Sequence, residues 1–120
     1  MASILVVDDS PSLRQMLQII LQNSDHEVLC AEDGKRALEM VSEVQFDLIL
    51  SDFNMPQLSG PEFIVLLRQL PQYRFTPVLL LTTETDEDKK QIGRSAGASR
   101  WLKKPFDPEQ LVLTVNSLLN

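Results

Sequence analysis

Segments that read as short β-strands alternate with longer segments of helical period along the whole chain, and no other feature constrains the fold as much. The predicted strands fall at Ser3 to Val7, Glu27 to Ala31, Leu48 to Asp52, Pro77 to Thr82 and Arg100 to Lys103. The stretches between them are too long for hairpin turns. They fit a helix that crosses back over the sheet each time, which makes the strands parallel. The segment Pro77 to Thr82 is apolar almost throughout, as a strand covered on both faces requires, and belongs in the middle of the sheet.

The helical segments carry their own punctuation. Ser10 is a candidate N-cap with Pro11 at the first helical position, and Leu13, Leu17, Ile20 and Leu21 share one face of a helix ending near Asn23. Asp33 can cap a helix that runs to about Val44 with Ala37, Leu38 and Val41 inward. A turn-rich loop with Pro56 and Gly60 leads into a helix over Pro61 to Gln69. The next helix, Thr85 to Ala96, is charged and polar with Ile92 its only large apolar side chain, which predicts a weak grip on the core. The last, Pro108 to Leu119, sets Leu111, Val115, Leu118 and Leu119 on one stripe. No linker or low-complexity segment interrupts the 120 residues, so a single domain over 1–120 without an output domain is expected.

The chain holds 17 acidic against 11 basic residues, a formal charge of -6. That balance speaks against binding a nucleic-acid backbone or anchoring to a membrane, and leaves proteins and small ions as expected partners. No apolar stretch approaches the roughly 20 residues needed to cross a bilayer. Met1-Ala2-Ser3 leads into the first strand without a secretory leader, so a cytoplasmic location is expected. Cys30, the only cysteine, reads as a small buried hydrophobe in a strand. His26, the only histidine, falls in a predicted turn and reads as a surface residue.

In a doubly wound sheet, ligands gather outside the carboxyl ends of the strands. Asp8 and Asp9 follow the first strand, Asp52 ends the third, Thr82 and Thr83 close the fourth, and Lys103 and Lys104 close the fifth. With the first, third, fourth and fifth strands as neighbours, these residues meet at one edge. Three carboxylates in one place repel each other unless a cation or a proton compensates. An oxygen-only donor set without a His or Cys cluster suits Mg2+, which takes one or two carboxylates and keeps several waters. An aspartate can also accept a phosphoryl group where the phosphoryl oxygens are neutralised, and the metal, Lys104 and a threonine hydroxyl would supply that.

Four blocks, Val6-Val7-Asp8-Asp9-Ser10, Ser51-Asp52-Phe53-Asn54-Met55-Pro56, Leu81-Thr82-Thr83-Glu84 and Lys103-Lys104-Pro105-Phe106, resemble the receiver domain of two-component response regulators. The resemblance covers essentially the whole chain, whose length is most similar to stand-alone chemotaxis receivers of the CheY type. It implies a flavodoxin-like (βα)5 fold of the α/β class with strand order 2-1-3-4-5. It also implies that Asp52 is the phosphoacceptor, that Asp9, Asp52 and the backbone carbonyl of Asn54 hold Mg2+, and that Asp8 acts mainly through water. By the same resemblance Lys104 contacts the phosphoryl group and Thr82 turns its hydroxyl toward it. Trp101 stands where an aromatic side chain swings inward as that threonine moves. A cis Lys104-Pro105 bond and a partner surface with Lys90, Trp101 and Lys103 beside the last helix follow from it too.

As a function, the resemblance implies a phosphorylation-activated switch that promotes only its own phosphorylation and dephosphorylation. Its partners would be a histidine kinase as phosphodonor, a phosphatase, and a target protein such as a flagellar motor component. Asn54 and Glu84 match positions that flank the attacking water in receivers whose phosphate lasts seconds to minutes. Two positions depart from the family pattern: a small residue is usual where Thr83 stands, and Tyr or Phe where Trp101 stands. A haloacid-dehalogenase-like phosphatase would need a second aspartate two residues after the nucleophile, where this chain has Asn54. A flavodoxin-like flavin-binding module would need a phosphate-cradling loop after the first strand, where Asp8-Asp9-Ser10-Pro11 stands. A phosphate-sink or adaptor receiver would differ only in what it touches once phosphorylated.

Overall fold

A computed structural model describes residues 2–83 and 87–120. In chain order the elements are β1 (Ser3–Val7), α1 (Pro11–Gln22), β2 (Glu27–Ala31), α2 (Gly34–Glu43), β3 (Leu48–Asp52), α3 (Gly60–Arg68), a 3-10 turn over Pro71–Tyr73, β4 (Val78–Thr82), α4 (Glu87–Ala96), β5 (Arg100–Lys103) and α5 (Pro108–Leu119). All strand pairings are parallel, in the order β2-β1-β3-β4-β5. This is the flavodoxin-like arrangement the resemblance implied, with β3 central and β4 interior.

The alternation of side chains along each strand divides the core into two layers. Leu5, Val7, Ile49 and Leu80 pack under α2 and α3, against Val41, Phe63, Ile64 and Leu67. Ile4, Val6, Leu50, Leu79 and Leu81 face the other way, onto Leu17 and Leu21 of α1 and Leu111 and Val115 of α5. Each such fully buried side chain contributes about 1.5–3 kcal/mol.

The caps read from sequence are in place. Ser10 Oγ accepts the Leu13 N–H at 3.3 Å and an Asp33 carboxylate oxygen accepts the Arg36 N–H at 2.7 Å. Helix α3 starts one residue earlier than expected because Ser59 forms a capping box. Its hydroxyl accepts from Glu62 N at 3.2 Å, and the Glu62 carboxylate accepts from Ser59 N at 2.9 Å.

Helix α4 is described from Glu87; Thr85, where the sequence placed its start, lies outside the described residues, as do Glu84 and Asp86. Ile92 is 49% exposed, so the helix meets the sheet through Gly93 instead. A Cβ on Gly93 would stand 3.0 Å from Leu80 Cδ1, so the missing side chain is what lets the helix backbone approach. Beyond its C-terminus Gly97 adopts a φ of 110°, and Ala98 N donates to Gly93 O at 3.0 Å. Arg68 fastens this corner: Nη2 donates to Gly97 O at 2.8 Å, and Nη1 to Tyr73 O at 2.7 Å and Thr76 O at 2.6 Å.

Two expectations are corrected. Cys30 is only half-buried, because β2 is an edge strand, and its Sγ lies 3.9 Å from Gln18 Oε1. His26 is no bare surface residue: Nδ1 accepts from Ala2 N at 3.2 Å and Nε2 reaches Asn116 Oδ1 at 3.1 Å.

Candidate functional site

The register of the sheet brings the polar residues together. Val7 pairs with Ser51, which sets Asp8 level with Asp52, and Thr82 pairs with Lys103, which sets Lys104 one step beyond. Backbone bonds carry the ladder past the strand ends: Asp8 N donates to Ala31 O at 3.1 Å, Phe53 N to Leu81 O at 2.8 Å and Lys104 N to Thr82 O at 2.7 Å.

Asp8 and Asp52 are buried and Asp9 is exposed, and one oxygen from each lies within 4.8 Å of the others. Lys104 Nζ donates to Asp52 Oδ1 at 2.9 Å and stands 3.5 Å from Asp8 Oδ2. One ammonium therefore stands against two of the three clustered carboxylates.

Asp8 is held at every point but one. Its N–H is bonded to Ala31, its carbonyl accepts from Arg14 Nη1 at 2.6 Å, and its Oδ1 accepts from Ser10 N at 2.9 Å. Oδ2 is buried and has no hydrogen-bond partner among the described residues. Burial pushes the Asp8 carboxyl above its ordinary value and the Asp52 charge adds to that, while the Ser10 N–H and Lys104 pull the other way. An orphaned carboxylate oxygen aimed at two more carboxylates is the donor set a hard divalent cation fits, so the residues present fit Mg2+.

The loop after Asp52 is built around a missing side chain. A Cβ on Gly60 would overlap the Asp52 carbonyl oxygen and stand 3.1 Å from Phe53 Cα, so only glycine lets α3 begin this close to the acidic residue. Asn54 lies in this loop and is exposed.

Thr82 is buried at the end of β4, and Thr83 after it is exposed. Phe53, Leu80, Thr82, Gly93 and the half-buried Trp101 line one small void. Lys90 lies over the Trp101 ring, its Nζ 5.6 Å from the centroid, while exposed Lys103 follows two residues later on the same strand. The Lys104-Pro105 bond is cis, as the resemblance implied.

The fold and this edge cluster agree with the family model of the response regulator receiver domain, which matches residues 4–116. The chain belongs to that family. It is thus a receiver domain of two-component signalling. Protein PilH of Pseudomonas aeruginosa is 36% identical over 119 residues, which span 99% of this chain and 98% of that protein. The solved structure of the chemotaxis protein CheY4 of Vibrio cholerae is 49% identical, with 98% of each chain covered and a TM-score of 0.96. The transcriptional regulatory protein ResD of Bacillus subtilis is 36% identical over 97% of this chain, and only 47% of ResD is covered. This chain spans about half the length of many of the curated relatives that it matches. No helix among the described residues of this receiver domain is long and apolar enough to cross a membrane.

Sequence reasoning missed the residues that position the receiver's acidic edge. Ser10 was read only as a helix cap, yet its N–H also holds Asp8 Oδ1 in an Asx turn, which Asp followed two residues later by a cap residue could have signalled. Arg14 and the close approach at Gly60 have no local sequence signal. Lys89, on the helix read only as charged and polar, has its Nζ 5.1 Å from the Phe53 ring centroid.

Proposed function

We propose that this receiver domain is a cytoplasmic phosphorylation switch in which Asp52 accepts a phosphoryl group from a partner histidine kinase. The observation that carries the reading is Lys104 Nζ at 2.9 Å from Asp52 Oδ1, in a cluster where Asp8 Oδ2 has no hydrogen-bond partner among the described residues. Asp9, Asp52 and the Asn54 carbonyl would hold Mg2+, with Asp8 acting through water. When bound, the ion supplies the charge that neutralises the phosphoryl oxygens.

The chain's own residues do the rest. Asp52 provides the attacking carboxylate oxygen; the phosphorus–nitrogen bond to the kinase histidine breaks as the phosphorus–oxygen bond forms. Lys104 is placed to follow the charge from the Asp52 carboxylate to the phosphoryl oxygens. The modified residue carries about -1.5 to -2 charges, against -1 before, and Thr82 and Lys104 are the nearby donors it can recruit. Thr82 shares its void with Trp101, so a shift of the threonine is felt at the face formed by α4, β5 and α5, where Lys90, Trp101 and Lys103 would meet a target protein. Phosphorylation changes this face only by favouring one of two conformers through differential contacts.

The structural likeness to the chemotaxis protein CheY4 supports a chemotaxis role, with a flagellar motor component as target and a phosphatase as a further partner. With Mg2+ and a small acyl phosphate, the wild-type chain should incorporate hydroxylamine-sensitive phosphate, and Asp52→Asn should incorporate none. Labelling that survives in the variant would overturn the assignment.

A further inference from the structure

Trp101 is held from α4 by two cations. Lys90 Nζ lies 5.6 Å and Arg94 Cζ 5.3 Å from the centroid of its ring. The spacing of Lys90 and Arg94, one helical turn, places both on the same side of α4. Lys90 also lines, with Lys89, the void shared by Trp101 and Thr82, which measures about 10 Å³. That is the order of space one water needs, far below an indole. The missing Cβ of Gly93 already lets α4 lie close to Leu80, and just past its C-terminus Arg68 bonds the Gly97 carbonyl. A ring moving alone toward Thr82 would leave both cations and enter a space that cannot hold it.

We propose that Lys90 and Arg94 bracket the Trp101 ring, so that α4 and Trp101 move as one unit during switching and the indole does not swing inward by itself. The bracket makes the angle of α4 the quantity that the site sets, where the wider family can rotate a smaller aromatic. The switching half of this proposal rests on Asp52 being the phosphoacceptor; the resting bracket does not.

Trp101 is the only tryptophan, so the emission of the full chain reports on it alone. Acrylamide quenching and the fast anisotropy decay are measured on the resting protein, then with Mg2+ and beryllofluoride, while fluorine NMR follows the adduct. The double variant Lys90→Met with Arg94→Met keeps the methylene stems and removes both charges. In the resting state it should show a freer ring than wild type, and Arg94→Lys should behave as wild type. Beryllofluoride should leave wild-type quenching unchanged, because the ring keeps its place against α4. An equally immobile ring in the double variant, or a fall in wild-type quenching on adduct formation, overturns the bracket. Should the double variant not fold, each single Met variant must loosen the ring part-way, and failure to do so overturns the proposal too. Absence of the fluorine adduct counts against the Asp52 reading, and the resting comparison still decides the bracket.

Discussion

Lys104 Nζ donates to Asp52 Oδ1 at 2.9 Å although the two residues are 52 positions apart in the chain. The same ammonium faces Asp8 Oδ2 at 3.5 Å, so one partly buried cation compensates two buried carboxylates. Replacing Lys104 with Met removes that compensation. In EDTA the variant should lose about 1–3 kcal/mol by urea denaturation, the cost of a buried acceptor left without its donor. Its affinity for Mg2+ by titration calorimetry should rise, since the competing cation is gone. An unchanged affinity would show that Lys104 does not share the carboxylates with the metal.

Asp8 gives a pH dependence with a definite sign. Burial is the main reason its carboxyl lies above the ordinary value, so the fold binds that proton more tightly than the unfolded chain does. The contribution is whole below the unfolded value of about 4 and drains away as the pH rises through the folded value. Asp8→Asn has no such loss. In EDTA its stability relative to wild type should grow upward from about pH 4, and Mg2+ should reverse the order. A difference that is flat with pH would refute this.

Gly60 and Gly34 separate two kinds of tight contact. A Cβ on Gly60 meets the backbone of Asp52 and Phe53, which cannot yield without moving the acidic site, whereas on Gly34 it meets the end of the Leu58 side chain. Gly60→Ala should cost about 1–3 kcal/mol and slow phosphate incorporation at Asp52. Gly34→Ala should leave incorporation near wild type. Equal incorporation in both variants would deny Gly60 any part in shaping the site.

Tyr73 is fully buried; its hydroxyl donates to Val44 O at 2.7 Å and accepts from Phe46 N at 3.1 Å. Tyr73→Phe leaves both backbone groups without a partner and should cost about 1–3 kcal/mol at neutral pH. Burial pushes the phenol above its ordinary value, so the stability tied to its proton is whole below about pH 10 and lost above it. Tyr73 is the only tyrosine, so absorbance near 295 nm follows its ionisation directly. Ionisation well before unfolding on an alkaline titration would count against the buried pair of bonds.

Much of the architecture was legible in the residues because its causes are local. Apolar runs and caps at Ser10 and Asp33 depend on neighbours within a turn or two, and they located β1, α1, β2, β3 and α5 closely. The start of α3 was misplaced by one residue because the capping box of Ser59 and Glu62 was overlooked, although it too is local. The 3-10 turn at Pro71–Tyr73 was also passed over, its Tyr73 anchor being set by Val44 and Phe46 far back in the chain.

The chain's order of residues determined which groups end strands at one edge: Asp8, Asp9, Asp52, Thr82 and Lys104 follow from strand periodicity alone. What only the tertiary structure decided is how they divide the work. The Asp52–Lys104 contact and the approach of Lys104 to Asp8 Oδ2 join elements distant in sequence. Such contacts are set by sheet register and by how closely helices approach. A pattern of apolar and polar residues shows which face is buried, and says nothing of distances across an edge. Asp52 is therefore readable as a strand-end acid, and its meeting with Lys104 is a property of the folded sheet.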